Sequence, residues 1–385
     1  MTILLVRPTA SGGLAAHVDQ ELALLIAAGR EVREAPVRIR ERPDPVEDLR
    51  TVGTLRRILS TAPAAVTVHA HGLRAGALAS VAMWGLRRHR LVVTLHNRTV
   101  GALPSRVVGA LLLRLLARRA DTVLSVSPDL ADTARRAGAR EVRHAIIPAP
   151  VSDVSAPVPG PDVGAGTDDS AAGAVEAAAG TVEAVAGTVD PAVGAVEAAA
   201  VPGGSDDEGR RRLEILVIAR LAPQKGLHDL LDAAALLRDG ASVRIQIAGD
   251  GPLESELSAR IHAELLPVEL LGRRSDVPAL LSACDLLVSA ARWEGQPVSL
   301  QEALRAGRAI VATDAGGTRW VTADAAHLVP VGDPASLAAA ITRLQDPALR
   351  RAAEQAARRR ALELPTAEDL LAQLDEVLAP GPRHW

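Results

Sequence analysis

Short, unbroken aliphatic runs alternate with longer helical patterns twice along the chain, and a long stretch of different character separates the two series. In the first series TILLV, REVREAPV, AAVTVHA, RLVVTLH, DTVLSVS and VRHAIIP read as strands. HVDQELALLIAAG, residues 46–60, 74–87 and 104–119, and PDLADTARRAG read as the helices between them. The second series has LEILVIA, VRIQIAG, VELLG, LLVSA, AIVAT and HLVPV as strands, each followed by a helical pattern. Continuous apolar strands alternating with helices imply parallel sheets covered on both faces. The expected fold class is therefore α/β, with two Rossmann-like domains facing a central cleft. Open α/β sheets take their ligands beyond the carboxyl ends of the strands, which places the expected site in that cleft. The expected boundaries are 1–150 for the first domain, 151–210 for a linker, and 211–385 for the second domain with its closing helices.

The expected linker is low in complexity. Gly173, Gly180, Gly187 and Gly194 recur every seven residues, with Val175, Val182, Val189 and Val196 in the same register. A heptad with one branched aliphatic per repeat, a glycine and Pro191 in the middle is a poor coiled coil. An acidic, disordered tether is the expectation.

Charge is distributed unevenly around a net value of −3. Residues 1–150 hold 22 Arg against 12 Asp plus Glu, and residues 151–209 hold 11 acids and no cation. The basic first domain suits an anionic acceptor or membrane surface. One cysteine, Cys284, excludes an intrachain disulfide. MTILLVRP enters a strand pattern without a charged leader, and VVGALLLRLLA is interrupted by Arg114. The expected location is cytoplasmic, with peripheral contact at the inner face of the membrane.

Phenylalanine and tyrosine are absent, and lysine and asparagine each occur once, as Lys225 and Asn97. All four types use AT-rich codons, so a GC-rich genome has replaced them with few exceptions. Arginine fills nearly every cationic position, which marks Lys225 as a place where a compact ammonium is wanted. Lys225 and Arg220 bracket the loop LAPQ after LEILVIA, and Gly226 opens the next helix. Two fixed cations beside a helix N-terminus suit a diphosphate. The loop is no P-loop, for it lacks the glycine run and the Ser or Thr that would hold magnesium. In WEGQPVSLQEALRAG, Glu294 ends a loop, Pro297 is expected at the first helical position, and Glu302 lies over a turn into the helix. The two carboxylates are expected about 10 Å apart, a span that suits hydroxyls on either side of a diphosphate. Gly12 and Gly13, between the first strand and helix, would let backbone approach a ligand.

Taken together, ARLAPQKG, AGDGPL, LGRRSDVPALLSACD, WEGQPVSLQEALRAG and VATDAGG, in that order, resemble the family-four, nucleotide-sugar-dependent retaining glycosyltransferases of the two-domain GT-B fold. The resemblance covers the chain except the tether. It implies that Arg220 and Lys225 hold the donor diphosphate and that Glu302 accepts from the ribose. Glu294 and the backbone of Gly295, Gln296, Pro297 and Val298 would hold the transferred sugar, and Arg273 would lie near the base. Gly12 and Gly13 match the family's glycine loop, and His96 in TLHN matches a histidine that reaches the donor sugar. His71 fits a position near the cleft. Gln296 stands where the family usually has an apolar residue, and Trp320 where a glutamate is common. No cofactor or metal is expected. The expected partners are a nucleotide-sugar donor and a glycan, lipid or small-molecule acceptor, with no nucleic acid. A sugar phosphorylase or epimerase on the same fold, or a non-catalytic nucleotide-sugar binder, remains open at this point.

Overall fold

A computed structural model describes residues 2–9, 13–40, 44–98, 103–149, 212–238 and 242–379. The expected tether and Gly12 lie outside the described residues. Among the described residues there are two six-stranded sheets, parallel throughout. The first is built from β1 (Thr2–Val6), β2 (Glu31–Glu34), β3 (Val66–His71), β4 (Arg90–Leu95), β5 (Thr122–Ser125) and β6 (Val142–His144). Its helices are α1 (Gly13–Ala27), α2 (Pro45–Thr61), α3 (Leu73–Ala82), α4 (Leu103–Arg119) and α5 (Pro128–Arg136). The second contains β7 (Leu213–Ile218), β8 (Val243–Ala248), β9 (Val268–Gly272), β10 (Leu286–Ser289), β11 (Ala309–Thr313) and β12 (His327–Val329). With it go α6 (Leu227–Leu237), α7 (Glu254–Ala263), α8 (Val277–Ala283), α9 (Val298–Arg305), α10 (Thr318–Thr322), α11 (Pro334–Arg343), α12 (Pro347–Ala361) and α13 (Ala367–Leu378).

Strand order is β2-β1-β3-β4-β5-β6 in the first sheet and β12-β11-β10-β7-β8-β9 in the second. Order reverses between β1 and β3 in one and between β7 and β10 in the other, the points where crossovers diverge and leave a crevice. Alternate residues of β7 show why its centre had to be apolar on both faces. Ile215 and Val217 pack into one core with α6 and α11, while Leu216 packs into another with α8, α9 and α12.

The last helix departs from the expected division at 211. Leu370, Leu374, Val377 and Leu378 of α13 are buried in the core of the first sheet. Thr67 donates to the Leu378 carbonyl, and Arg30 pairs with Asp375 at 2.8 Å. An amphipathic helix shows that it has an apolar face, not which core that face will enter, so this assignment needed the structure.

The carboxyl ends of the two sheets approach each other directly. Trp293 donates its indole N–H to Asp129 at 3.1 Å. The buried Gln301 side chain donates to the Ile147 carbonyl (2.8 Å) and accepts from the Ala149 amide (3.0 Å). Gly317 sits at the tightest point: a Cβ there would lie 1.8 Å from the Gly295 carbonyl oxygen and 2.8 Å from that of Val126. Both obstacles are backbone and cannot swing aside. Gly317→Ala is therefore expected to cost about 1–3 kcal/mol, seen as a lower melting temperature. An unchanged melting temperature would mean that the two edges are not held this closely.

Candidate functional site

Arg220 and Lys225 follow β7, and Glu294 follows β10, so all three flank the switch point of the second sheet. Lys225 ends a single 3-10 turn, Pro223–Lys225, and Gly226 then takes a left-handed conformation (φ 61°) before α6 begins. A Cβ at Gly226 would lie 1.9 Å from the Ala290 carbonyl oxygen. Glycine is required on both counts, and it lets the two loops close on each other. The Arg292 amide donates to the Gln224 carbonyl at 2.9 Å and completes that contact.

This closeness produces a pair that the sequence did not foretell. Lys225 Nζ donates to Glu294 Oε1 at 2.6 Å, with side-chain exposures of 25% and 12%. An ammonium has three donors, so two remain for a ligand after Glu294 has taken one. Arg220 is exposed and forms no ion pair among the described residues. The neighbouring Arg292 is different, being held by both oxygens of Asp229 (2.9 and 3.0 Å).

Glu302, one turn into α9, is half-buried, and no hydrogen bond engages its carboxylate among the described residues. Burial raises its pKa, opposed by Arg305. The Arg305 side chain donates to the Ala149 carbonyl at 2.8 Å. Helix α9 starts at Val298 rather than at Pro297, because Pro297 keeps an extended ψ of 112° and acts as the N-cap. The Pro297 nitrogen carries no hydrogen, and the first amides of α9, before that of Gln301, have no carbonyl partner within the helix. Gln296 turns its side chain away from this loop. Its Oε1 accepts from the Ile147 amide (3.3 Å), and its Nε2 donates to the Ala145 carbonyl. Only its backbone is left for a ligand. Trp320, the other departure from the family pattern, packs on His144 with ring centroids 4.0 Å apart. Arg273 is exposed on the loop after β9. Gly13 begins α1, and a Cβ there would meet nothing within 4 Å, so space is left above that turn.

On the facing edge, His96 follows β4 and is partly exposed. Gly295 links it to the other sheet: a Cβ at Gly295 would lie 2.6 Å from Val126 and 3.7 Å from the His96 carbonyl oxygen. Behind His96 lies a buried cluster that sequence reading passed over. Its Nε2 is 3.1 Å from His71 Nδ1. His71 Nε2 lies 3.5 Å from Glu21 Oε2, in a geometry that is not that of a hydrogen bond. His69 Nδ1 is 2.6 Å from Glu21 Oε1, and His69 Nε2 is 2.8 Å from the Thr94 hydroxyl. His17, one helical turn before Glu21, comes within 3.8 Å of the same carboxylate. The signal was present in the spacing. His17 and Glu21 share a face of α1 at i, i+4, and His69 and His71 share a face of β3 at i, i+2.

Burial pushes the His96 ring well below the ordinary imidazole range, and His71 and His17 beside it push the same way against Glu21. Burial likewise lowers His71 and takes His17 down to about 4. Burial alone would raise the Glu21 carboxyl, but His69 and His71 outweigh it and hold it well below the usual carboxylate range. Glu21 is thus an anion at neutral pH, where burial keeps His17, His71 and His96 neutral. One ligand atom each from His17, His71 and His96 falls within 4.8 Å of the others, as do those of Glu21, His69 and His71, close enough to hold a metal ion. Glu21 and His69 already engage each other, however, as do His71 and His96.

These shifts predict acid lability. The unfolded chain protonates its histidines near pH 6.5, whereas folded His17 does so only near pH 4. The stability carried by the histidines is complete above about 6.5 and is lost as pH falls below it. Glu21 works in the same direction at lower pH, since unfolded glutamate protonates near 4.3. The melting temperature is expected to fall from pH 7 to pH 4, and His17→Gln should flatten the upper part of that slope. An identical slope in the variant would clear His17 of the effect.

Two family profiles match this chain. The one described as "Glycosyl transferase 4-like domain" matches residues 5–150, and "Glycosyl transferases group 1" matches residues 212–346. Alpha-D-kanosaminyltransferase of Streptomyces kanamyceticus is 33% identical over 174 residues, 43% of this chain and 44% of that protein. The N,N'-diacetylbacillosaminyl-diphospho-undecaprenol alpha-1,3-N-acetylgalactosaminyltransferase of Campylobacter jejuni is 36% identical over 108 residues, 27% of each. These matches span less than half the length of the curated relatives. Among solved structures, Anabaena Alr3699/HepE in complex with UDP superposes with a TM-score of 0.66 at 19% identity, covering 98% of this chain and 99% of its own. Sucrose-phosphate synthase from Thermosynechococcus elongatus gives 0.67 at 17%, covering 98% of each. At such identities the likeness is one of fold. The chain belongs to the family-four glycosyltransferases of the GT-B fold.

Proposed function

We propose that this protein is a retaining glycosyltransferase that moves a sugar from a nucleoside-diphosphate sugar to an acceptor hydroxyl. The observation that carries the reading is the Lys225–Glu294 pair at the switch point of the second sheet, with the Arg220 and Glu302 side chains, on the loop after the same β7 and on the helix after Glu294, unengaged among the described residues. On this reading Lys225 bridges Glu294 and the donor diphosphate, Arg220 adds a second cation, and Glu302 accepts from the ribose hydroxyls. Glu294 and the open amides at the start of α9 hold the transferred sugar. His96, kept neutral, meets that sugar from the opposite edge as a hydrogen-bonding group. Arg273 lies toward the base.

Charge developing on the leaving phosphate is met by Arg220 and Lys225, so the reaction on this reading needs no resident metal. The acceptor hydroxyl attacks the face from which the diphosphate leaves, and the phosphate oxygen takes its proton. The new glycosidic bond keeps the donor's configuration. Relatives named for alpha linkages support this outcome, and HepE, whose structure has also been solved with UDP-glucose, supports a nucleotide-sugar donor. Two relatives carry diphosphoundecaprenol acceptors in their names. We take a lipid-linked glycan as the first acceptor to try, with a free glycan or small molecule next.

Thermal-shift measurement against UDP, GDP, ADP and their sugars tests the donor site. One base is expected to raise the melting temperature, since a ligand held by the folded state alone stabilises it by RT ln(1 + [L]/Kd). Glu302→Ala should reduce that shift for the free nucleoside diphosphate as well as for the sugar. A full shift in Glu302→Ala would remove it from the nucleotide site.

A further inference from the structure

Helix α4 shows solvent a face unlike any other in the first half of the molecule. Leu103, Val107, Val108 and Leu111 are 51–72% exposed. Leu103, Val107 and Leu111 follow one another at i, i+4 and i+8, and the same stripe continues as Arg114 and Arg118, with Arg106 at its border. The opposite face is the packed one, with Gly109, Leu116 and Ala117 buried. The whole of Leu103–Arg119 contains no acidic residue.

Its cations differ from others in the same half. Arg7, Arg30, Arg50, Arg74, Arg135 and Arg143 all stand in ion pairs. Arg106, Arg114 and Arg118 are exposed and form no ion pair among the described residues. A stripe of branched aliphatics running into unpaired arginines matches an anionic bilayer on both counts. The aliphatics fit the headgroup–acyl boundary and the guanidinium groups fit the lipid phosphates. In sequence, helix α4 also starts soon after His96, which stands at the carboxyl edge where the two sheets meet.

We propose that the outer face of α4 docks this protein onto an anionic membrane surface, with Leu103, Val107 and Leu111 entering the interface and Arg106, Arg114 and Arg118 on the lipid phosphates. Docking on this face sets the cleft edge that carries His96 beside the lipid surface. The surface stands independently of the reading of the donor site.

Vesicle co-sedimentation of the full chain tests it, with phosphatidylcholine vesicles compared against mixtures containing phosphatidylglycerol. Binding should rise with anionic content and weaken with salt, since the attraction decays within a Debye length. An arginine near such a surface contributes about fivefold to partitioning, so Arg106→Ala/Arg114→Ala/Arg118→Ala should lower it about 100-fold. Val107→Ser/Leu111→Ser should abolish the fraction that survives high salt. Both variants change exposed side chains and should keep the wild-type melting temperature, which is measured alongside. Equal binding to neutral vesicles, no binding, or wild-type binding by the arginine variant would overturn the proposal. So would a dimer in solution that the Val107→Ser/Leu111→Ser variant dissociates, because the face would then belong to a second copy. Binding seen only after removal of residues 155–208 would instead give the face to that acidic segment.

Discussion

Lys225→Ala is expected to slow glycosyl transfer by about 30- to 1000-fold, a loss of roughly 2–4 kcal/mol of transition-state stabilisation. Two effects add. The variant loses a charge-assisted contact to a phosphate whose charge grows as the sugar departs. It also leaves Glu294, whose side chain is 12% exposed, without its 2.6 Å partner and beside that same phosphate. The second effect can be measured separately. Lys225→Ala/Glu294→Gln should be less impaired than the sum of its single variants, since residues in contact are not additive. Arg220→Ala should fall at the lower end of the same range, because Arg220 is exposed and leaves no buried anion behind. Lys225→Arg is expected to stay well below wild type, as a planar fork paired with Glu294 cannot place further donors as a point ammonium does. Full activity in Lys225→Arg would mean that the lone lysine is a survivor of codon bias. Full activity in both alanine variants would remove the diphosphate site itself.

His96→Ala should reduce turnover by about 10- to 100-fold, the worth of one hydrogen bond in a largely enclosed site, and should leave nucleoside diphosphate affinity unchanged. His96 is on the first sheet's edge, across from the loops that hold Lys225 and Glu294. A loss of nucleotide binding in equal measure would move it from the sugar to the nucleotide. On the proposed reading its action depends on being neutral, which burial and the two adjacent rings secure at neutral pH. Glu21→Gln, which removes the anion behind His71 without touching the cleft, should give a milder loss together with a shifted pH profile. An unaltered profile would make Glu21 a structural group only.

Much of the fold was legible because both sheets are parallel. Strands such as β1 and β11 are covered on both faces, so they stand out as nearly unbroken apolar runs. The misplaced element, α13, carries the same apolar stripe whichever core it enters, and its bonds to Thr67 and Arg30 lie across the whole length of the chain. Arg220, Lys225, Glu294 and Glu302 could be named as candidates because each lies near a strand end or helix start within a motif. Their pairing was not legible. It depends on Gly226 closing onto Ala290, a contact between two crossovers that are far apart in sequence. The sequence marked Gln296 as a departure from the family pattern but not where its side chain goes: the amide finds Ala145 and Ile147 on the other sheet. The Glu21–histidine cluster draws on α1, β3 and β4 at once, and no single window of sequence holds more than half of it.

The most direct test is the configuration of the product. The chain is incubated with the nucleotide sugar that most raises its melting temperature and with a diphosphoundecaprenol-linked sugar, and the isolated product is examined by proton NMR. The prediction is one nucleoside diphosphate released per product formed, with the donor's anomeric configuration retained, and almost no product from Lys225→Ala. An inverted product, or full yield from Lys225→Ala, would contradict it.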